Sequence, residues 1–372
     1  MQSLLALLRG EPTHTISAPE WLTVLDLAEQ EYILPWTAAC LSVTARADQH
    51  LSERLHEIRR ATQISGFFWT STLKATLTEF HRRAIPVISL KGPWLAERLY
   101  GNAALRSYAD LDLLVRRSDI SRAETLLSEI GFVPAGRRGD YERPWRRGST
   151  AIELHHDVEN PLTFDFHIDD VWQRAQPAEF HGVPALLLAP EDERLFLCLH
   201  SVRHRFERFS HILDLVFAFR SWPENPAQFA QNPAANHLFA IGARLAARLD
   251  PRLAIADPAS LSPRDRAALD ALADQLWQER LSAPAPRLDW KAKHQFFLSI
   301  ENRPWRRASA RLRHLRILST RLIEADFAFA ARFHLHRTWQ VWLLRPVRLL
   351  FRLGRASPLP RPAMPQSASH RS

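Results

Sequence analysis

Two cysteines are all that 372 residues carry, Cys40 and Cys198, and they stand far apart in the chain. That scarcity excludes a disulfide framework and a cysteine-built zinc site, and it fits a reducing compartment. No run of about eighteen apolar residues occurs, so a membrane-spanning helix is not expected. The opening MQSLLALLRGEP lacks a basic leader, and Arg9 and Glu11 interrupt its apolar run. It reads as the start of a helix and not as a signal peptide, so a cytoplasmic protein is the expectation. Acidic residues are almost missing from one stretch. From Arg303 onward fifteen arginines face only Glu324 and Asp326, a balance of +13 in a chain of net +9, which leaves −4 for everything before. The basicity therefore belongs to the C-terminal region and does not mark the whole chain as a nucleic-acid binder.

What is present is ordinary globular material, 46% hydrophobic, at a length that implies two or three packed units. Residues 1–83 read as helical, with Ser17 as a cap before APEWLTVLDLAEQ. A long helical stretch from Leu51 to Arg83 places Ile58, Ile64, Phe67, Phe68, Leu73, Leu77 and Phe80 on or near one face. AIPVISL (84–90) is short, β-branched and reads as a buried strand. PWLAERLYG follows as a helix, with Pro93 at its first turn and Gly101 as its stop. ADLDLLV (109–115) is a second strand, SRAETLLSEIGF a helix, residues 132–150 a hairpin or loop, and AIELHHDV (151–158) a third strand. From Pro190 onward helices return, and the tail SPLPRPAMPQSASHRS has a disordered composition. The expected class is α+β. A helical N-terminal region at 1–83 precedes a mixed α/β unit at 84–190, a helical region at 191–326 and a basic segment with its tail at 327–372.

The chemistry gathers in the second strand. Asp110 and Asp112 flank Leu111, and side chains two apart on a strand share a face, about 7 Å apart. Two carboxylates projecting together from a buried strand repel unless a cation lies between them. Mg²⁺ (or Mn²⁺) suits hard oxygen ligands and substrate phosphates. A solvated strand end, with both aspartates in water, is the plainer reading of the same spacing. Upstream, Lys91-Gly92 closes a strand–turn–helix where phosphate can approach the backbone. Lys91 is one of four lysines, with Lys74, Lys291 and Lys293, in a chain that otherwise uses arginine. Arg106 lies between the turn and the acidic pair, where it can clamp a phosphate.

The run LKGPWLAERLYGNAALRSYADLDLLVRRSDISRAETLLSEIGF resembles a bacterial nucleotidyltransferase-like family within the polymerase-β-type superfamily. That family carries Leu-Lys-Gly, Tyr-Gly, Arg and then Asp-x-Asp-Leu-Leu-Val. IELHHDV and LHSVRHRFERFSHILDL extend the resemblance over residues 15–220 or so. It implies a polymerase-β-like unit and metal-dependent transfer of a nucleoside monophosphate from a nucleoside triphosphate to an acceptor, with two metals at the centre. It also implies a third acid on a neighbouring strand, for which Glu153 is the matching position, with His155 two residues on. Asp110, Asp112 and Glu153 are then the catalytic metal ligands, and Lys91, Gly92 and Arg106 the phosphate contacts. The turn departs from the superfamily pattern, with Lys91-Gly92-Pro93 where Gly-Ser or Gly-Gly is usual.

His200 and His204 stand four apart on a helix and share a face, a spacing that suits a metal. Polar residues lining a cleft are the preferred reading, with Asp214 orienting one of them. All three, with His155, are supporting candidates. Arginines interleave with Trp339, Trp342 and Phe351 in residues 327–355, a pattern for an anionic membrane surface or a protein partner, or for a helix packed on its own domain; RNA binding is a third use. An enzyme is the first functional reading. A non-catalytic nucleotide-binding adaptor, or a membrane-peripheral accessory factor of a polysaccharide or peptide-modification system, is the alternative.

Overall fold

The computed structural model describes residues 1–11, 17–41, 48–136, 141–158, 167–222, 233–253, 255–258, 260–282 and scattered positions between 296 and 344. Most of the basic segment at 327–355, and all of the tail beyond it, lie outside the described residues. Met1–Ala310 form one unit and Arg311–Ser372 another, and the sheet belongs to the first.

Four helices open the chain: α1 (Gln2–Arg9), α2 (Ala18–Gln30), α3 (Leu34–Leu41) and α4 (Gln49–Arg82). Glu20 of α2 accepts from the Ser17 backbone N–H at 3.1 Å and from its hydroxyl at 2.9 Å, which fixes the first turn. Asp48 caps α4, its carboxylate accepting from the Leu51 N–H at 2.8 Å. Leu51, Leu55, Ile58, Trp69, Leu73, Leu77 and Phe80 form the buried stripe of α4. Ile64, Phe67 and Phe68 do not join it: they face outward at 61%, 75% and 42% exposure. The helical period separates these residues from the stripe, so the expectation that they share it is corrected. Gly66 lies on the buried side because the backbone of Ala104 comes so near that a Cβ would stand 2.9 Å from its Cα.

The rest of the unit runs β1 (Val87–Ser89), α5 (Pro93–Tyr100), β2 (Leu111–Val115), α6 (Ile120–Glu129), β3 (Val133–Pro134), β4 (Glu142–Arg147) and β5 (Thr150–His155). Then come α7 (Ile168–Arg174), β6 (Gln176–Phe180), β7 (Val183–Leu187), α8 (Pro190–Arg203), α9 (Phe209–Ser221), α10 (Pro233–Leu249) and α11 (Pro263–Ser282). The seven strands make one mixed sheet ordered β3-β4-β5-β2-β1-β7-β6. Neighbours are antiparallel except β2 with β5 and β1 with β7. The α+β class and the three expected strands are present, and residues 132–150 supply the β3–β4 hairpin.

Strand alternation decides which side of the sheet carries chemistry. Leu111, Leu113 and Val115 of β2, with Ile152 and Leu154 of β5, pack in one core with Leu73, Leu77 and Phe80 of α4 and Leu126 and Leu127 of α6. Leu114 turns the other way, into a second core with Ile88 and the helices α8 to α11. Asp112, Glu153 and His155 share the parity of Leu114 and so belong to that second face.

Candidate active site

The parallel ladder of β2 and β5 places Asp112 opposite Glu153 and Leu114 opposite His155. Two carboxylates and an imidazole thus reach one face from adjacent strands. One ligand atom from each of Asp112, Glu153 and His155 lies within 4.8 Å of the others. The Nε2 of His155 stands 3.3 Å from Asp112 Oδ1 and 3.5 Å from Glu153 Oε2. Neither ring nitrogen of this buried histidine makes a well-directed hydrogen bond. Glu153, with 31% of its side chain exposed, marks the open edge of the cluster.

Lys91 enters from the end of β1. The Leu90 N–H donates to the Asp112 carbonyl at 3.0 Å, and the Ser89 hydroxyl donates to the Lys91 carbonyl at 3.1 Å. This turn sets the Lys91 ammonium 3.1 Å from Asp112 Oδ2, with side-chain exposures of 11% and 4%. Gly92 makes the turn possible: its φ of 83° and ψ of −157° belong to a region that side chains avoid. A Cβ there would also meet Leu111 Cδ2 at 3.3 Å.

Charge at the centre is unevenly shared. Asp110, one residue ahead of β2, is pushed up to about 7, first by burial and then by the Asp112 carboxylate, with Lys91 opposing. Burial also penalises the Asp112 charge, yet Lys91 and His155 overcome it and hold that carboxyl well below the usual range. Burial pulls His155 down, but contact with Asp112 and Glu153 prevails and lifts it to about 9. Two oxygen donors, an imidazole without a directed hydrogen bond and a carboxyl that resists ionising beside them fit a divalent cation. Asp110 adjoins this group but is not among the three whose ligand atoms draw within 4.8 Å.

The remaining candidates fall into two neighbouring clusters. Arg106 does not present a free fork to the cleft. Its Nε and Nη2 donate to Asp214 of α9 at 3.0 and 2.8 Å, and the Tyr100 hydroxyl donates to the same carboxylate at 2.6 Å. Asp214 therefore anchors Arg106 and Tyr100, where a partnership with a histidine was expected. His200 and His204 come together with a third ring, His211, at centroid separations of 4.7, 5.4 and 5.2 Å. Burial above all pushes His200 and His211 well below the ordinary histidine value, and the positive charges of Lys91 and neighbouring arginines add to it. His204 Nδ1 stands 3.4 Å from Glu207 Oε1. Arg205 and Phe206, both at positive φ (53° and 50°), make the corner that folds α9 back onto α8. That corner brings His211 to its partners. The seven-residue step from His204 to His211 across the corner is the sequence trace of this meeting.

The mixed α+β fold is accompanied by a family match. The model of the uncharacterised nucleotidyltransferase family matches residues 17–248, and the chain belongs to that family. The match covers α2 to α4, the whole sheet, α8 and α9, and all but the last residue of α10. Among solved structures, the chain is similar to the solution structure of the antibiotic-resistance factor ANT(2'')-Ia. Identity is 14% and the TM-score 0.34, over 57% of this chain and 97% of that one. No curated protein matches. Among the described residues no helix is long and apolar enough to cross a membrane.

Proposed function

We propose that this face transfers a nucleoside monophosphate from a nucleoside triphosphate to an acceptor, with Asp110, Asp112 and Glu153 as the metal-holding carboxylates. The observation that carries the reading is the register of Asp112 against Glu153, which turns acids from two adjacent strands to one side of the sheet. His155 completes the donor set. When bound, a divalent cation supplies Lewis-acid polarisation of the phosphate and offsets the charge that builds there.

The chain's own groups do the positioning. Lys91 fixes the rotamer of Asp112 by holding Oδ2, so its oxygens keep their aim without solvent. Gly92 lets substrate phosphate come close to the backbone at the first turn of α5, where unpaired N–H groups favour an anion. Arg106 acts at one remove: bound to Asp214, it fixes the segment that leads into Asp110 against α9. The test is release of pyrophosphate by the purified chain with Mg²⁺ or Mn²⁺, each nucleoside triphosphate in turn and a small-molecule extract as acceptor source. Release that needs both cation and extract supports transfer. Release of orthophosphate alone points to hydrolysis and rejects it.

A further inference from the structure

Lys91 occupies a position with consequences for how many cations this centre holds. A carboxylate shared by a pair of divalent ions about 3.5–4 Å apart offers one oxygen to each. Asp112 is the central carboxylate here, 3% exposed and between the turn and β5. Its Oδ1 faces His155 Nε2, on the side where Glu153 also points. Its Oδ2 faces the Lys91 ammonium at 3.1 Å. One oxygen is therefore directed at the candidate ligand group and the other is already covered by a positive charge.

The ammonium is not a loose surface group. The backbone at its root is laced to Asp112 itself, through Leu90 N–H to the Asp112 carbonyl, and to Ser89 through the turn. The side chain is 11% exposed, so leaving the carboxylate means rearranging a buried stem. Were Asp110, Asp112 and Glu153 all ionised around one divalent ion, with His155 neutral as a ligand, this one ammonium would complete the charge balance. Resting on the nucleotidyl-transfer reading above, we propose that Lys91 is a resident cation of the centre. It stands on Asp112 Oδ2 in the place of a second divalent ion, so that the chain binds one such ion where the family resemblance implies two.

The experiment counts ions and does not depend on turnover. Full-length protein with one equivalent of a non-hydrolysable nucleoside triphosphate analogue is titrated with Mn²⁺ and followed by electron paramagnetic resonance. Loss of the free-ion signal gives the number bound, and exchange coupling reports a close pair. The expected result is one uncoupled Mn²⁺ at the centre in the wild type and a coupled pair in Lys91→Met, with Lys91→Arg keeping the single ion. A coupled pair in the wild type overturns the inference while leaving the nucleotidyl-transfer reading intact, and needs no variant to fold. A single uncoupled ion in a folded Lys91→Met also overturns it, because Lys91 is then not what excludes the second ion. No bound Mn²⁺ in the wild type removes the metal centre itself, and this inference with it.

Discussion

Asp112 of β2 lies in register with Glu153 of β5, while its second oxygen is held by Lys91 from the turn after β1. The centre is thus assembled across three strands, and its most buried carboxylate is paired before any ligand arrives. From strand alternation alone, replacing either aspartate by asparagine should leave stability equal or higher, since like-charge repulsion is relieved. The pairing of Asp112 changes that expectation for one of the two. Asp112→Asn leaves the buried Lys91 ammonium without its partner and His155 with Glu153 alone, and breaking a buried pair costs about 3–5 kcal/mol. Asp110→Asn removes only a carboxyl that resists ionising, so the cation-free protein should be unchanged or stabilised at neutral pH. Urea unfolding of both variants with chelator present checks this, and equal midpoints for the two contradict it.

The same contrast has a pH signature. Asp110 is raised from 3.8 to about 7, so its contribution to cation-free stability is fully present below about pH 4 and is lost as pH rises through 7. Asp112 is held low, so its contribution is present above about pH 4 and is lost on further acidification. Asp110→Asn should therefore flatten the fall in stability between about pH 4 and 7, and saturating Mn²⁺ should do the same in the wild type. An unaltered slope in the variant shows that Asp110 is not the group titrating there.

Gly92→Ala tests the turn. The new side chain must take φ near 83° and meet Leu111 Cδ2 at 3.3 Å. Strain of this kind costs about 1–3 kcal/mol. Because Lys91 precedes this turn, its hold on Asp112 should loosen. Thermal unfolding should show the loss, and Mn²⁺ affinity should change with it. A variant as stable as the wild type means that the turn tolerates a side chain.

Arg106 and Asp214, 108 positions apart in sequence, form a two-pronged pair in a mostly buried setting, exposed by 15% and 5%. Arg106→Lys keeps the charge but not the fork, so it should restore little of the roughly 3–5 kcal/mol that Arg106→Gln removes. Full rescue by lysine, read from urea midpoints, means that charge alone holds α9 in place.

Much of this was legible in the sequence, and what was not has identifiable causes. The Asp-Leu-Asp alternation announced a strand with two faces, and Pro93 and Gly101 bracketed α5 as helix signals do. The β6–β7 hairpin is masked in the sequence because Pro177 and Pro184 sit inside its strands and discourage a strand reading. Its turn is written in His181-Gly182, both at positive φ (49° and 82°), a two-residue signal of the hairpin type. Arg106 looked like a phosphate clamp because its partner Asp214 lies on a helix far along the chain, and no local pattern carries that distance. Ile64, Phe67 and Phe68 were expected on or near one face with Leu73, Leu77 and Phe80, but the 3.6-residue period turns them outward.

The central claim is that the carboxylate face performs nucleotidyl transfer, and the most direct measurement follows the fate of one phosphate. The purified protein is incubated with divalent cation, an extract and nucleoside triphosphate labelled either at the α- or at the γ-phosphate. Asp112→Asn and Glu153→Gln are run in parallel, with folding verified by circular dichroism. The account predicts that the α-label becomes attached to an acceptor and the γ-label leaves in pyrophosphate, with transfer falling at least about 100-fold, some 2.7 kcal/mol of barrier, in both variants. Attachment of the γ-label, or undiminished α-transfer by a folded Asp112→Asn, would contradict it.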